Sequence, residues 1–218
     1  MYLPRSFRED DLATLHDMIR QESFGTLFSP GSATGGATGG DASRATHLPF
    51  VLHADRGERG TLVAHMARVN PHWKALRSDA EVLVTFLGPH TYISPSWYVS
   101  PAEVPTWNYQ AVHVRGFPGV FDDPERLRRH VLELVDQYER GREQPWNPEV
   151  AAEVIERGLG AIVGFEIPIH RIEGKMKFNQ NRSRADQEGV VRGLEASPHS
   201  GERAVAEIMR ENLRRPPG

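Results

Sequence analysis

Apolar positions in this chain of 218 residues follow two rhythms, one helical and one alternating. Near the N-terminus, Leu12, Leu15, His16 and Ile19 recur at helical spacing behind a Ser6–Glu9 capping pair. This predicts a helix from about Arg8 to Gln21. Phe24 to Phe28 has strand character. The segments THLPFVLHA (46–54), TLVAHMARV (61–69), EVLVTFLG (81–88) and TYISPSWYV (91–99) are short, rich in β-branched and aromatic residues, and divided by Gly, Pro or charged turns. They read as successive strands. Asp122 or Asp123 then caps a helix with Pro124 in its first turn, Leu127, Val131, Leu134, Val135 and Tyr138 on its buried stripe, and Gly141 at its end. Another helix starts at Asn147 and Pro148 and turns Val150, Val154, Ile155 and Leu159 inward. AIVGFEIPIHRIEG (161–174) returns as a strand, and a last helix, about 200–214, carries Val205, Ile208 and Met209 before RRPPG stops it.

Short strands, then helices, then one late strand argue for an antiparallel barrel with peripheral helices, not a βαβ array. The fold class is thus mainly β with peripheral α, and 1–218 reads as a single domain. The Gly/Ser/Thr/Ala run within about 29–45 (SPGSATGGATGGDAS) reads as a flexible loop inside a hairpin, because glycine-rich chain is costly to order. Its glycine spacing matches neither the Walker nor the dinucleotide pattern. GLGAIVG at Gly158 to Gly164 imitates a dinucleotide fingerprint but sits between a helix and a strand, the reverse of the required order, so it reads as a helix end and turn.

Charge narrows the function classes. Lys plus Arg number 26 against 29 Asp plus Glu, a formal charge of -3, which counts against a protein built to coat nucleic acid. There is no cysteine, hence no disulfide, thiolate nucleophile or Cys-ligated metal. No histidine pair comes with a carboxylate at metal-ligand spacing, and no Gly-x-Ser-x-Gly elbow is present. No membrane span is expected. MYLPRSFRED lacks an apolar core of signal-peptide length, so the expected compartment is the cytoplasm.

The densest chemistry lies in KMKFNQNRSRAD (175–186). Lys175, Lys177, Arg182 and Arg184 meet no acid until Asp186, and Ser183 with Asp186 forms a capping box for a helix through Leu194. Cations just before a helix N-terminus make a phosphate-sized anion site, and the amides of Asn179, Gln180 and Asn181 suit a ring edge or a hydroxylated chain. A solvated basic loop is the competing reading of the same residues. HMARVNPHW (65–73), YISPSWY (92–98) and VPTWNY (104–109) place Trp97 and Trp107 beside turn signals. Flat aromatics with polar neighbours suit the clamping of a planar ring, and equally suit plugs of a β-barrel core. Ser94 and Ser96 flank Pro95 and look suited to phosphate or carbonyl contacts.

The opening MYLPRSF, followed by THLPF, AHMARVNPHW, YISPSWY, VPTWNY and K-x-K-x-x-QNR-x-x-x-D, resembles the PaiB family from Met1 to about Leu194. Members of that family are described as FMN-binding negative transcriptional regulators. The resemblance implies an FMN-binding split β-barrel, similar to pyridoxamine-phosphate-oxidase-like proteins, working as a homodimer with flavin at the subunit interface. It also implies FMN as cofactor, and operator DNA as a partner through a local basic face such as Arg126, Arg128 and Arg129. Carried over by position, it assigns cofactor binding to His65, Met66, Ala67, Arg68, Ser94, Ser96, Trp97, Tyr98, Trp107, Asn108, Lys175, Lys177, Gln180, Asn181 and Arg182. The long Gly-rich loop and Asn179, where Ser is common, depart from the family pattern. No helix-turn-helix with a basic recognition helix is visible. An FMN-dependent oxidoreductase with no direct DNA contact is the alternative that follows.

Overall fold

The computed structural model describes residues 1–31, 43–76 and 79–214. The expected Gly-rich loop therefore lies almost wholly outside the described residues. In chain order the elements are β1 (Arg8–Glu9), α1 (Leu12–Gln21), β2 (Phe24–Ser29), β3 (Arg44–Pro49), β4 (Val51–His53), β5 (Thr61–Ala67) and β6 (Val82–Ile93). They continue with β7 (Thr106–Gly116), β8 (Gly119–Phe121), α2 (Pro124–Glu139), α3 (Ala152–Leu159), β9 (Ile162–Lys177), α4 (Arg184–Glu195) and α5 (Ser200–Arg214). The sheet has nine strands in the order β3-β2-β6-β7-β9-β5-β4, with β1 and β8 also paired to β9. The fold is mainly β, as the alternating segments predict. No helix among the described residues is long and apolar enough to cross a membrane.

The chain divides into two compact units. The first comprises Met1–Leu15, Leu87–Val112 and Glu173–Gly218; the second comprises His16–Phe86 and His113–Ile172. The first unit buries Ile93, Tyr98 and Phe178 against the apolar faces of α4 and α5, including Val190, Leu194, Val205 and Met209. The second packs Phe50 edge-on against Phe86 and Phe165, with ring centroids 5.6 and 6.2 Å apart. Beside that aromatic triad, Val63, Phe121, Leu127 and Leu159 form a further cluster.

Four local expectations are corrected. Helix α1 starts at Leu12, not Arg8, because Arg8 and Glu9 pair with Lys175 and Gly174 as a strand. Its cap is Asp11, whose Oδ2 accepts from Thr14 N–H at 2.8 Å and Thr14 Oγ1–H at 2.7 Å. EVLVTFLG and TYIS are one strand, β6, with no turn between them. Gly88 sits there for close approach: a Cβ would lie 2.4 Å from Gln110 Nε2. On the segment after Asn147, Val150 and Val154 face solvent at 76% and 61% exposure, because its first turn is a tight 3-10 turn that shifts the phase before α3 begins. On α2, Tyr138 lies at the exposed end of the stripe, 42% exposed with its hydroxyl 2.7 Å from Ser23 Oγ, while His130 is buried instead.

Candidate functional site

Strand β9 carries the basic segment out of the sheet, so Lys175 and Lys177 are strand residues on the same face. Lys175 is buried, donates to the Tyr2 carbonyl at 3.1 Å, and lies 5.3 and 5.5 Å from the rings of Tyr109 and Tyr2. Lys177 Nζ donates to the Trp107 carbonyl at 2.8 Å and to Thr106 Oγ1. Burial, with Lys175 and Arg182 close by, holds the Lys177 ammonium below the usual lysine range. Arg182 stacks 5.4 Å from the Tyr98 ring centroid and pairs with Glu103 at 2.7 Å.

The turn after β9 uses its amides internally. Gln180 accepts from Phe178 N–H at 2.7 Å and donates to the Met176 carbonyl at 2.6 Å. Asn179 takes a left-handed φ of 62°, which Asn tolerates better than most residues, and donates to Tyr98 Oη at 3.1 Å. Asn181 is exposed. Ser183 caps α4 as the sequence predicts, accepting from Asp186 N–H at 3.1 Å. Asp186 is itself the anion at this helix entrance. Its carboxylate accepts from the N–H groups of Val99 and Ser100 at 2.8 and 2.9 Å, and from the hydroxyls of Ser100 and Ser183, both at 2.7 Å. Those bonds, the Ser100 backbone bond first, hold it down at about 2.

The aromatic segments of this unit divide between core and surface. Trp97 packs over α4, where Gly193 leaves room for its ring: a Cβ there would lie 2.5 Å from it. Tyr98 is buried in the same cluster. Ser94 and Ser96 bond to one another at 2.8 Å and cap their own turn. Trp107 is 47% exposed, its Nε1 donating to His90 Nδ1 at 3.3 Å. Beside it Asn108 is fully buried, Nδ2 against Met209 Sδ at 3.4 Å, and its Oδ1 has no donor among the described residues.

The remaining candidates lie in the second unit. On β5, Met66 is buried and Ala67 exposed, as alternation requires. Arg68 donates to the carbonyls of Gly160 and Ile162 at 3.0 and 3.1 Å and reaches Asp122 at 3.7 Å, so it ties a turn together. His65 Nδ1 lies 3.1 Å from Nε2 of the buried His130, a partner that sequence reading missed on the α2 face. Burial lowers the pKa of both rings. Among the described residues, no group of three or more His, Asp or Glu is placed to hold a metal ion.

Three crowded cations, a buried carbonyl oxygen awaiting a donor and an exposed indole face are a donor set suited to a phosphorylated planar molecule. The backbone fold defines the class of protein. It matches the flavocytochrome Anf3 from Azotobacter vinelandii with a TM-score of 0.56 at 13% identity, covering 81% of this chain and 72% of that one. It matches a FAD and heme binding protein from Mycobacterium smegmatis with a TM-score of 0.54 at 15% identity, covering 78% and 73%. The fold is a split β-barrel. The family follows from sequence: a model described as "Putative FMN-binding domain" matches residues 1–171. The "Protease synthase and sporulation protein PAI 2" of Bacillus subtilis is 32% identical over 217 residues, 99% of either chain. An uncharacterized Saccharomyces cerevisiae protein is 34% identical over 163 residues, 67% of this chain and 95% of its own length. The chain belongs to the PaiB family of FMN-binding proteins, and its cofactor is FMN.

Proposed function

We propose that the protein is a cytoplasmic, homodimeric flavoprotein of the PaiB type, acting through 1–218 as one functional domain and serving as a negative transcriptional regulator. The observation that carries the flavin part is the crowding of Lys177 by Lys175 and Arg182. Burial first, and then its like-charged neighbours, disfavour the Lys177 ammonium, and Glu103 answers only Arg182, so a further anion is favoured there and these residues would hold the FMN phosphate. Trp107, Asn108 and Gln180, with Asn181 beside them, would serve its ring and side chain. Ser94, Ser96, Trp97 and Tyr98 support that wall from within, and His65, Met66, Ala67 and Arg68 carry the family's remaining flavin motif. Bound FMN supplies redox chemistry at its ring; the chain's own groups bind it, orient it and exclude water.

One observation favours the oxidoreductase alternative. Of the guanidiniums offered to DNA, Arg126 is paired with Glu166 at 2.5 Å and Arg128 with Glu156 at 2.6 Å. Neutralised arginines release few counterions on meeting phosphate. Two measurements separate the readings. Addition of FMN to the purified protein should give a saturable shift of the flavin absorption bands, and failure to do so removes both. Operator DNA should then be retained at least ~10³-fold better than a scrambled duplex. Equal retention across a salt titration decides for the oxidoreductase. Analytical ultracentrifugation showing only a 24.5 kDa species at micromolar concentration would reject the dimer.

A further inference from the structure

A cavity of about 280 Å³ lies wholly within the unit that contains β5 and α2. Val63 and Phe121 give it an apolar wall, and Arg56, Arg126, Arg129 and His130 contribute its polar lining. Its charges do not cancel. Arg56 and Arg126 both reach the same oxygen of Glu166, each at 2.5 Å. Glu133, also on the lining, is met by His53 Nε2 at 3.4 Å. Arg129 forms no ion pair among the described residues. Three guanidiniums thus stand against two carboxylates, and the site has room for one more negative charge. The Arg126 guanidinium carbon lies over the Phe121 ring, 3.9 Å from its centroid, a cation–π contact that helps to hold the basic wall in place.

His130 adds direction. It is 2% exposed, its Nε2 faces His65 Nδ1 at 3.1 Å, and its Nδ1 has no partner. Two facing ring nitrogens need one hydrogen between them, and a neutral imidazole carries one in all. Whichever ring donates across that contact, Nδ1 is left as a buried polar atom with no partner among the described residues. Burial, with His65 and His53 nearby, lowers the ring's pKa to about 3, so it is neutral at neutral pH. A hydroxyl, which both donates and accepts, suits Nδ1 in either tautomer.

We propose that this cavity binds a small hydroxylated carboxylic acid as its monoanion: carboxylate toward Arg129, apolar body against Val63 and Phe121, hydroxyl hydrogen-bonded to His130 Nδ1. None of its lining residues belongs to the proposed phosphate seat, and its one link to the family's flavin motif is the contact of His130 with His65.

The test is calorimetric titration of the FMN-loaded protein with 4-hydroxybenzoate, benzoate, methyl 4-hydroxybenzoate and inorganic phosphate. 4-Hydroxybenzoate should saturate one site and bind at least ~10-fold more tightly than the other three, about one charge-assisted or buried hydrogen bond's worth of affinity. The flavin spectrum should stay that of bound FMN throughout. Arg129→Ala, at an exposed position, should weaken 4-hydroxybenzoate ~10-fold without weakening FMN, and His130→Phe should erase the preference over benzoate. Absence of saturation, or unchanged affinity in Arg129→Ala, overturns the site. Equal binding of benzoate or tighter binding of phosphate overturns the hydroxy-acid assignment. Release of FMN by the ligand would make the cavity part of the flavin seat and overturn its independence.

Discussion

Asp186 holds Ser100 by two bonds, its carboxylate accepting the backbone N–H at 2.9 Å and the hydroxyl at 2.7 Å, and accepts the Val99 N–H at 2.8 Å as a third. One carboxylate thereby fastens the chain after the Pro95–Trp97 turn to the first turn of α4. Because these bonds favour the ionised form, the folded pKa is held at about 2. The unfolded value is the ordinary one of about 4. The unfolded state takes up its proton first as the pH drops, so the contribution of Asp186 is full above about pH 4 and is lost between about 4 and 2. Asp186→Asn should lower stability at neutral pH and flatten this part of the acid limb. Thermal melts from pH 7 to 2 that run parallel for the two proteins would reject the role.

His130 titrates with the same sign for a different reason. Its folded pKa is lowered from 6.5 to about 3, so between those values the unfolded chain binds a proton that the folded one refuses. Stability should fall as pH drops through this window, by up to ~1.4 kcal/mol per pH unit for one proton. His130→Gln can still donate to His65 but does not titrate. Denaturant midpoints measured between pH 7 and 3 should show a shallower slope for the variant.

Two glycines should respond oppositely to the same methyl group. A Cβ on Gly189 would lie 2.2 Å from the Trp97 carbonyl oxygen, which is backbone and cannot turn aside. Gly189→Ala should cost about 1–3 kcal/mol. A Cβ on Gly158, in α3, would meet nothing within 4 Å. Gly158→Ala should stabilise by about 0.4–1 kcal/mol through the unfolded chain. Melting temperatures on opposite sides of the parent's are the expected result; a drop for both would show that α3 needs the glycine.

What could be read from the sequence was what is decided within a few residues. The Ser183–Asp186 cap, the Asp123 cap with Pro124 behind it, and the late strand over 161–174, which runs on to Lys177, all depend on neighbours in the chain. Arg8 and Glu9 looked helical because their partners, Lys175 and Gly174, lie at the far end of the chain. Gly88 and Pro89 looked like a turn because nothing local reveals that Gln110 fills the space. Nothing local marks His130 as buried, because its partner on β5 is 65 residues away. The family motifs name candidate site residues as a set. Their roles were not legible: Gln180 spends its amide on its own turn, and Arg182 is shared with Glu103.

The sharpest prediction concerns Lys177 and Arg182. If they seat the FMN phosphate, each makes a charge-assisted hydrogen bond of roughly 1.5–3 kcal/mol. Arg182 must share itself with Glu103, which places its contribution at the lower end. Replacing both by Ala should weaken FMN by ~10²-fold or more, since each 1.4 kcal/mol is a factor of ten. Riboflavin lacks the phosphate, so its weaker binding should scarcely change. Lys177→Arg should recover most of the loss, because the charge is kept. The lowered pKa of Lys177 adds a pH signature: the parent's FMN affinity should decline on the alkaline side before ordinary lysines deprotonate, and the Arg variant's should not. Fluorescence titrations giving the double variant the parent's FMN affinity would refute the seat, whereas an equal loss for riboflavin would show that the two cations hold the local fold instead.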